Sequence, residues 1–176
     1  GISRDENVHS DFIAWLLTPT SNHELGYYPL RKFLQMLSIV CENDNNAKAQ
    51  FSEEYANMFL LEDYELTSAS KVLREAVTGD IAGFDNSGRI DILMELAFDG
   101  DDQILPIIIE NKVLSTENDE NAKSKPGANN KQTEKYFEWS KIKYPCGVGT
   151  LYKTPILIFL APDFEKEIKC KSEAFI

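Results

Sequence analysis

The chain is short of cysteine, of basic side chains and of long apolar runs, and each shortage narrows what it can be. Its three cysteines, Cys41, Cys146 and Cys170, are odd in number and far apart, with no Cys-x-x-Cys spacing. That spacing speaks against zinc or redox chemistry and for a reduced, cytoplasmic setting. No apolar stretch approaches the roughly 20 residues that a membrane span requires. The opening Gly1-Ile2-Ser3-Arg4-Asp5-Glu6 lacks the basic start and apolar stretch of a secretory signal. The leading Gly and the ending over 172–176, which breaks off without a terminal signal, suggest that the natural chain extends further at both ends.

Basic residues are the most telling shortage. Lys and Arg total 18 against 29 Asp and Glu, a formal net charge of −11. Such a balance disfavours nucleic acid as a partner, because phosphates are normally met by Lys and Arg. Its distribution qualifies the sum. Residues 42–110 hold 16 acids and 4 bases, whereas residues 112–153 hold 8 lysines and 5 acids.

What is present reads as an ordinary globular protein, 43% hydrophobic and 27% charged over 176 residues. That length suits one domain able to bury roughly 70% of the surface its unfolded form exposes. Ser3-x-x-Glu6 is a capping box ahead of Val8, Phe12, Trp15 and Leu16 at helical spacing, with Pro19 marking the end of a first helix. A loop over 20–26 leads to a second helix over 28–41, with Leu30, Phe33, Leu34 and Leu37 on one stripe, and the two helices are expected to form a layer. After a polar loop over 42–50, a further helix is expected over 52–61. Strands are expected over 71–77, 89–98 and 104–114, the first two joined by a turn region over 80–88, together forming an antiparallel meander. Residues 115–130 carry no bulky apolar side chain and read as a mobile loop. A helix over 131–143 follows, and the continuously apolar run over 154–161 reads as a strand covered on both faces.

The second and third strands carry the chemistry. They read Gly88-Arg89-Ile90-Asp91-Ile92-Leu93 and Ile107-Ile108-Ile109-Glu110-Asn111-Lys112-Val113, separated by the turn-forming Asp99-Gly100-Asp101-Asp102. Residues two apart in a strand share a face, so Glu110 and Lys112 point one way and Asn111 the other. A hairpin turning about Gly100 and Asp101 sets Asp91 opposite Glu110. Like charges so placed repel, and a divalent cation between them would remove the conflict. Magnesium accepts such a set, using one or two carboxylates and completing its shell with waters and substrate phosphate. A lysine beside them can stabilise charge on a phosphate or position an attacking water. The bland alternative is a solvated Glu-x-Lys pair with Asp91 on an exposed face; the uninterrupted Ile107-Ile108-Ile109 argues against it.

These residues resemble the PD-(D/E)XK nuclease superfamily. Asp91 matches its motif aspartate, with Ile90 where the motif has Pro, and Glu110-Asn111-Lys112 matches its Glu-x-Lys. Gln132-Thr133-Glu134-Lys135-Tyr136 is similar to the Gln-x-x-x-Tyr helix of the RecB-like and lambda-exonuclease-like branch, and the segment from Glu6 to Leu17 resembles the start of an uncharacterised prokaryotic group. The resemblance implies an α/β fold with a restriction-endonuclease-like core, a mixed sheet in α-β-β-β-α-β order with extra N-terminal helices. It further implies a Mg2+-dependent deoxyribonuclease, with Mn2+ as a substitute, acting in defence, repair or mobile-element biology.

By that resemblance Glu6, Asp91, Glu110 and the Asn111 carbonyl hold the metal. Lys112 assists the attacking water, and Gln132 and Tyr136, one helical turn apart, contact substrate phosphate or orient Lys112. His9 and Glu75 are rival ligands; the alternatives for them are a helix hydrogen bond and a surface partner of Arg74 or Lys71. Glu6 has the capping box as its alternative, and Tyr136 a place in the core. Lys123, Lys125, Lys131 and Lys135 would track the phosphate backbone, their alternative being a solvated face. The acidic bulk departs from expectation for a DNA-binding protein, so binding would rest on residues 112–153, on a segment beyond this chain, or on a protein partner or second copy. Two other functions stay open: a catalytically inactive interaction module that keeps the fold, and a metal-dependent hydrolase of small phosphoesters.

Overall fold

In the computed structural model, the described residues are 6–43, 53–79, 88–112 and 132–160, with the side chains of Glu54 and Gln132 outside the description. The expected 115–130 loop, Ser3 of the capping box, Lys123, Lys125, Lys131 and Cys170 therefore lie outside the described residues. The elements are α1 (Glu6–Leu17), α2 (Tyr28–Asn43), α3 (Glu53–Leu60), β1 (Lys71–Val77), β2 (Arg89–Ala97), β3 (Ile104–Asn111), α4 (Gln132–Lys143) and β4 (Ile156–Leu160). None of these helices is long and apolar enough to cross a membrane.

The strands form one mixed sheet in the order β1-β2-β3-β4. The first three are the antiparallel meander, and β4 adds to β3 in parallel, which requires a crossover of the kind α4 supplies. The chain reverses between β2 and β3 through Gly100, whose φ of 75° a residue with a side chain rarely adopts. Pairing runs from Ala97 opposite Ile104 to Ile92 opposite Ile109, the register that the turn predicted. One residue further on, Asp91 stands level with Glu110.

Alternation along β3 divides the core. Ile107 and Ile109 join Leu30, Leu34 and Leu37 of α2, Phe59 of α3, and Ala14 and Leu17 of α1 on one face. Ile108 joins Leu93, Leu157, Tyr136 and Trp139 on the other, where α4 packs. The mixed sheet with helices on both faces is the expected α/β, restriction-endonuclease-like arrangement.

One helix turns differently from its sequence pattern. Val8, Phe12 and Trp15, the apolar residues that signalled α1, face outward at 51, 57 and 39% exposure. The buried face is Ser10, Ala14 and Leu17. Small side chains let this helix lie close to the sheet, and Ser10 finds a hydrogen-bond partner there. The outward aromatics pack on themselves, with the Phe12 and Trp15 ring centroids 5.6 Å apart and Trp15 Nε1 donating to Asn22 Oδ1 at 2.7 Å.

Candidate active site

The carboxylates and the lysine gather at the end of β3, where α1 crosses the sheet. Glu110 is fully buried, and its Oε1 lies 2.7 Å from Lys112 Nζ, so the two side chains share a face as the strand repeat requires. The two form a close ion pair, and Oε2 of Glu110 has no hydrogen-bond partner among the described residues. From α1, Glu6 Oε2 approaches the same ammonium at 3.6 Å. Asp91 Oδ2 accepts the backbone N–H of Asn111 at 2.8 Å, so the aspartate side chain continues the β2–β3 ladder beyond its last paired residues.

The electrostatics of this cluster are unbalanced. Burial drives the Glu110 carboxyl up to about 8, the neighbouring charge of Asp91 pushes the same way, and Lys112 opposes both. Burial also raises Asp91 above the usual carboxylate range, against the Asn111 N–H and the charges of Lys112 and Arg74. For Lys112 burial disfavours the ammonium, but the carboxylates of Glu110, Glu6 and Asp91 outweigh it and hold the lysine above its ordinary value. The lysine's shift requires an ionised Glu110, whereas burial favours a neutral one. The 2.7 Å contact is what an ion pair would make, and we take Glu110 as ionised whenever further positive charge is near. Three carboxylates around one lysine leave room for that charge.

Oxygen donors of this kind suit a hard divalent cation. The unbonded, fully buried Oε2 of Glu110 is the observation that favours a fit. Among the described residues no three acidic, histidine or cysteine side chains form a ready-made cage. A shell of two carboxylates, a backbone carbonyl and waters needs none.

A family model described as the PD-(D/E)XK nuclease superfamily matches residues 1–144. The chain belongs to that superfamily. No curated protein matches it, and no solved structure does. Membership makes it a nuclease-type hydrolase, with nucleic acid as the class of substrate and divalent metal as the usual cofactor.

Within this PD-(D/E)XK member, the other expected site residues are placed as follows. Tyr136 is 2% exposed and donates its hydroxyl to the carbonyl of Arg89, a core position that steadies the start of β2. Its ring lies 3.5 Å from where a Cβ on Gly88 would stand, and Thr78 Oγ1 lies 3.2 Å from the same point. Lys135 and the backbone of Gln132 lie on α4. Glu75 sits on β1, 46% exposed and 3.4 Å from Arg89, so its partner is Arg89 rather than Arg74 or Lys71. His9 is half-buried on α1.

Three contributions escaped the sequence reading. The Asn111 side chain points away from Glu110, as expected, yet its Nδ2 donates to Ser10 Oγ at 2.9 Å and to the Glu6 carbonyl at 3.4 Å. It docks α1 onto the sheet. Ser10 shares a helix face with Ala14 and Leu17, so a polar residue at an apolar position was the available signal. Arg74 bridges β1, β2 and α1, and nothing in its local pattern marks it.

Proposed function

We propose that this nuclease-fold chain is a Mg2+-dependent deoxyribonuclease, with Mn2+ able to substitute. The fully buried Glu110 paired with Lys112 beside Asp91 carries the reading. Asp91, Glu110 and the Asn111 carbonyl would hold the cation, with Glu6 joining from α1. When bound, the cation supplies positive charge against the phosphodiester undergoing hydrolysis. Hydrolysis forms a bond from a water oxygen to phosphorus and breaks a phosphorus–oxygen ester bond, the leaving oxygen gaining a proton. Lys112 keeps its proton among carboxylates, places a fixed cation where charge on the phosphate grows, and orients the attacking water. Tyr136 and Gln132 serve from α4, the tyrosine by holding the strand that carries Asp91 and the glutamine by meeting substrate together with Lys131 and Lys135. The odd number and wide spacing of the three cysteines suit a reduced, cytoplasmic setting.

The net charge of −11 favours a second reading, an inactive module that binds a protein or nucleic acid through the same fold, alone or as a homodimer. Cleavage of linear, circular and single-stranded DNA with Mg2+ or Mn2+, comparing the intact chain with Glu110→Ala and Lys112→Ala, separates the two. Metal-dependent cutting lost in both variants supports the nuclease. Cutting that survives both removes the proposed site, and no cutting on any substrate, with no metal binding by calorimetry, supports the module.

A further inference from the structure

Arg74 holds one guanidinium against three acceptors on two elements. Its Nε donates to Asp11 Oδ1 at 2.7 Å, Nη1 to the Asp91 carbonyl at 2.7 Å, and Nη2 to the Asn7 carbonyl at 3.4 Å. The backbone beside it is shaped for this. Pairing of β1 with β2 runs through Arg74 opposite Ile92 and Ala76 opposite Ile90, skipping Glu75 and Asp91 between them. Glu75 takes a left-handed φ of 50°, a conformation that costs a side-chain-bearing residue about 1–2 kcal/mol. The skipped pairing leaves the Asp91 carbonyl to the guanidinium.

Asn111 completes a circuit. Its backbone N–H bonds Asp91 Oδ2, and its side chain bonds Ser10 and the Glu6 carbonyl. Asp91 is thus tied to the first turns of α1 twice, by Arg74 from one side and by Asn111 from the other. At the start of the same helix the Glu6 carboxylate faces Lys112 at 3.6 Å.

We infer that Arg74 is a positioning residue that fixes the separation of Glu6 from Asp91 and so sets the affinity of the cation site. The inference rests on the nuclease reading given above. A planar, forked donor is needed, because the acceptors lie in different directions from one side chain; a lysine ammonium can replace the charge but not the fork. Partners that orient metal ligands typically change metal affinity about 10–100-fold when altered.

The test measures Mn2+ affinity by calorimetry without DNA, thermal unfolding of the metal-free protein, and kcat and KM for DNA cleavage. The proteins compared are the wild type, Arg74→Lys, Asp11→Asn and the double variant. Arg74→Lys is expected to weaken Mn2+ binding about tenfold or more and to lower kcat, with KM for DNA little changed. Asp11 is largely exposed, so Asp11→Asn folds even if changes at Arg74 do not. It should weaken Mn2+ binding several-fold, and add nothing in the Arg74→Lys background. A lowered Tm with wild-type Mn2+ affinity in both single variants would make Arg74 a structural clamp and overturn the inference alone. A wild type that neither binds Mn2+ nor cuts DNA would overturn the nuclease reading and this inference with it.

Discussion

Glu110 Oε1 and Lys112 Nζ meet at 2.7 Å, with both side chains buried. Truncating Lys112 leaves the buried Glu110 carboxyl without its neighbouring cation, and under the proposed reading also removes a group that faces the reacting phosphate. Lys112→Ala is expected to lower kcat for metal-dependent DNA cleavage by about 10²–10³, the usual effect of deleting one preorganised electrostatic group. Single-turnover cleavage at saturating Mg2+, beside circular dichroism to verify folding, checks it.

The same pair predicts how the metal-free protein responds to pH. Glu110 titrates near 8 when folded, against an ordinary value of 4.5. Between those values the folded chain keeps a proton that the unfolded chain has released. The contribution of Glu110 is therefore fully present below about pH 4.5 and falls as pH rises towards 8, at no more than about 1.4 kcal/mol per pH unit. Urea unfolding in EDTA across pH 5–8, on the wild type and Glu110→Gln, should give a smaller slope in the variant.

Glu75→Gly separates the rival acids. Glycine accepts the left-handed φ of 50° found there, so the substitution should stabilise the fold by about 1 kcal/mol. The Arg89 ion pair it removes is largely solvated and contributes little. Metal-dependent cleavage should be retained, whereas Glu6→Gln should reduce it. Loss of cleavage in Glu75→Gly with a raised Tm would transfer the metal role from α1 to β1.

Tyr136→Phe deletes the hydroxyl that bonds the Arg89 carbonyl and keeps the ring in the core. The expected cost is about 1 kcal/mol, read as a lower Tm. If the tyrosine acts through the strand rather than on substrate, cleavage per folded molecule should change less than tenfold.

The sheet was legible because its strands declare themselves locally. Lys71 to Val77 has the bounds expected of it, and β2 and β3 are apolar runs hinged on a glycine turn, so their register followed from where that turn sits. Glu110 and Lys112 then shared a face by the two-residue repeat alone. The docking of α1 was not legible in this way. Its outline reads as an amphipathic helix with a large-residue stripe, but close approach to the sheet selected the small side chains of Ser10 and Ala14, and Phe12 was left outside. The reach of Arg74 to Asp91 and Asp11 depends on that docking and on the left-handed turn at Glu75, neither of which has a local sequence signal. Tyr136 was visible as a motif residue, and its burial only as an alternative.

The bond from Asn111 to Ser10 joins positions 101 residues apart, and closing so long a loop carries an entropic cost that local contacts do not. Contacts of this span form late relative to a hairpin such as β2–β3. Helix and hairpin can each exist before they meet, but the proposed cation site cannot, because Glu6 comes from the one and Asp91 and Glu110 from the other. Under the nuclease reading, hydrolytic competence should return on refolding after secondary structure does, and an unfinished chain that ends before β3 would lack Glu110 and Lys112 of the proposed centre.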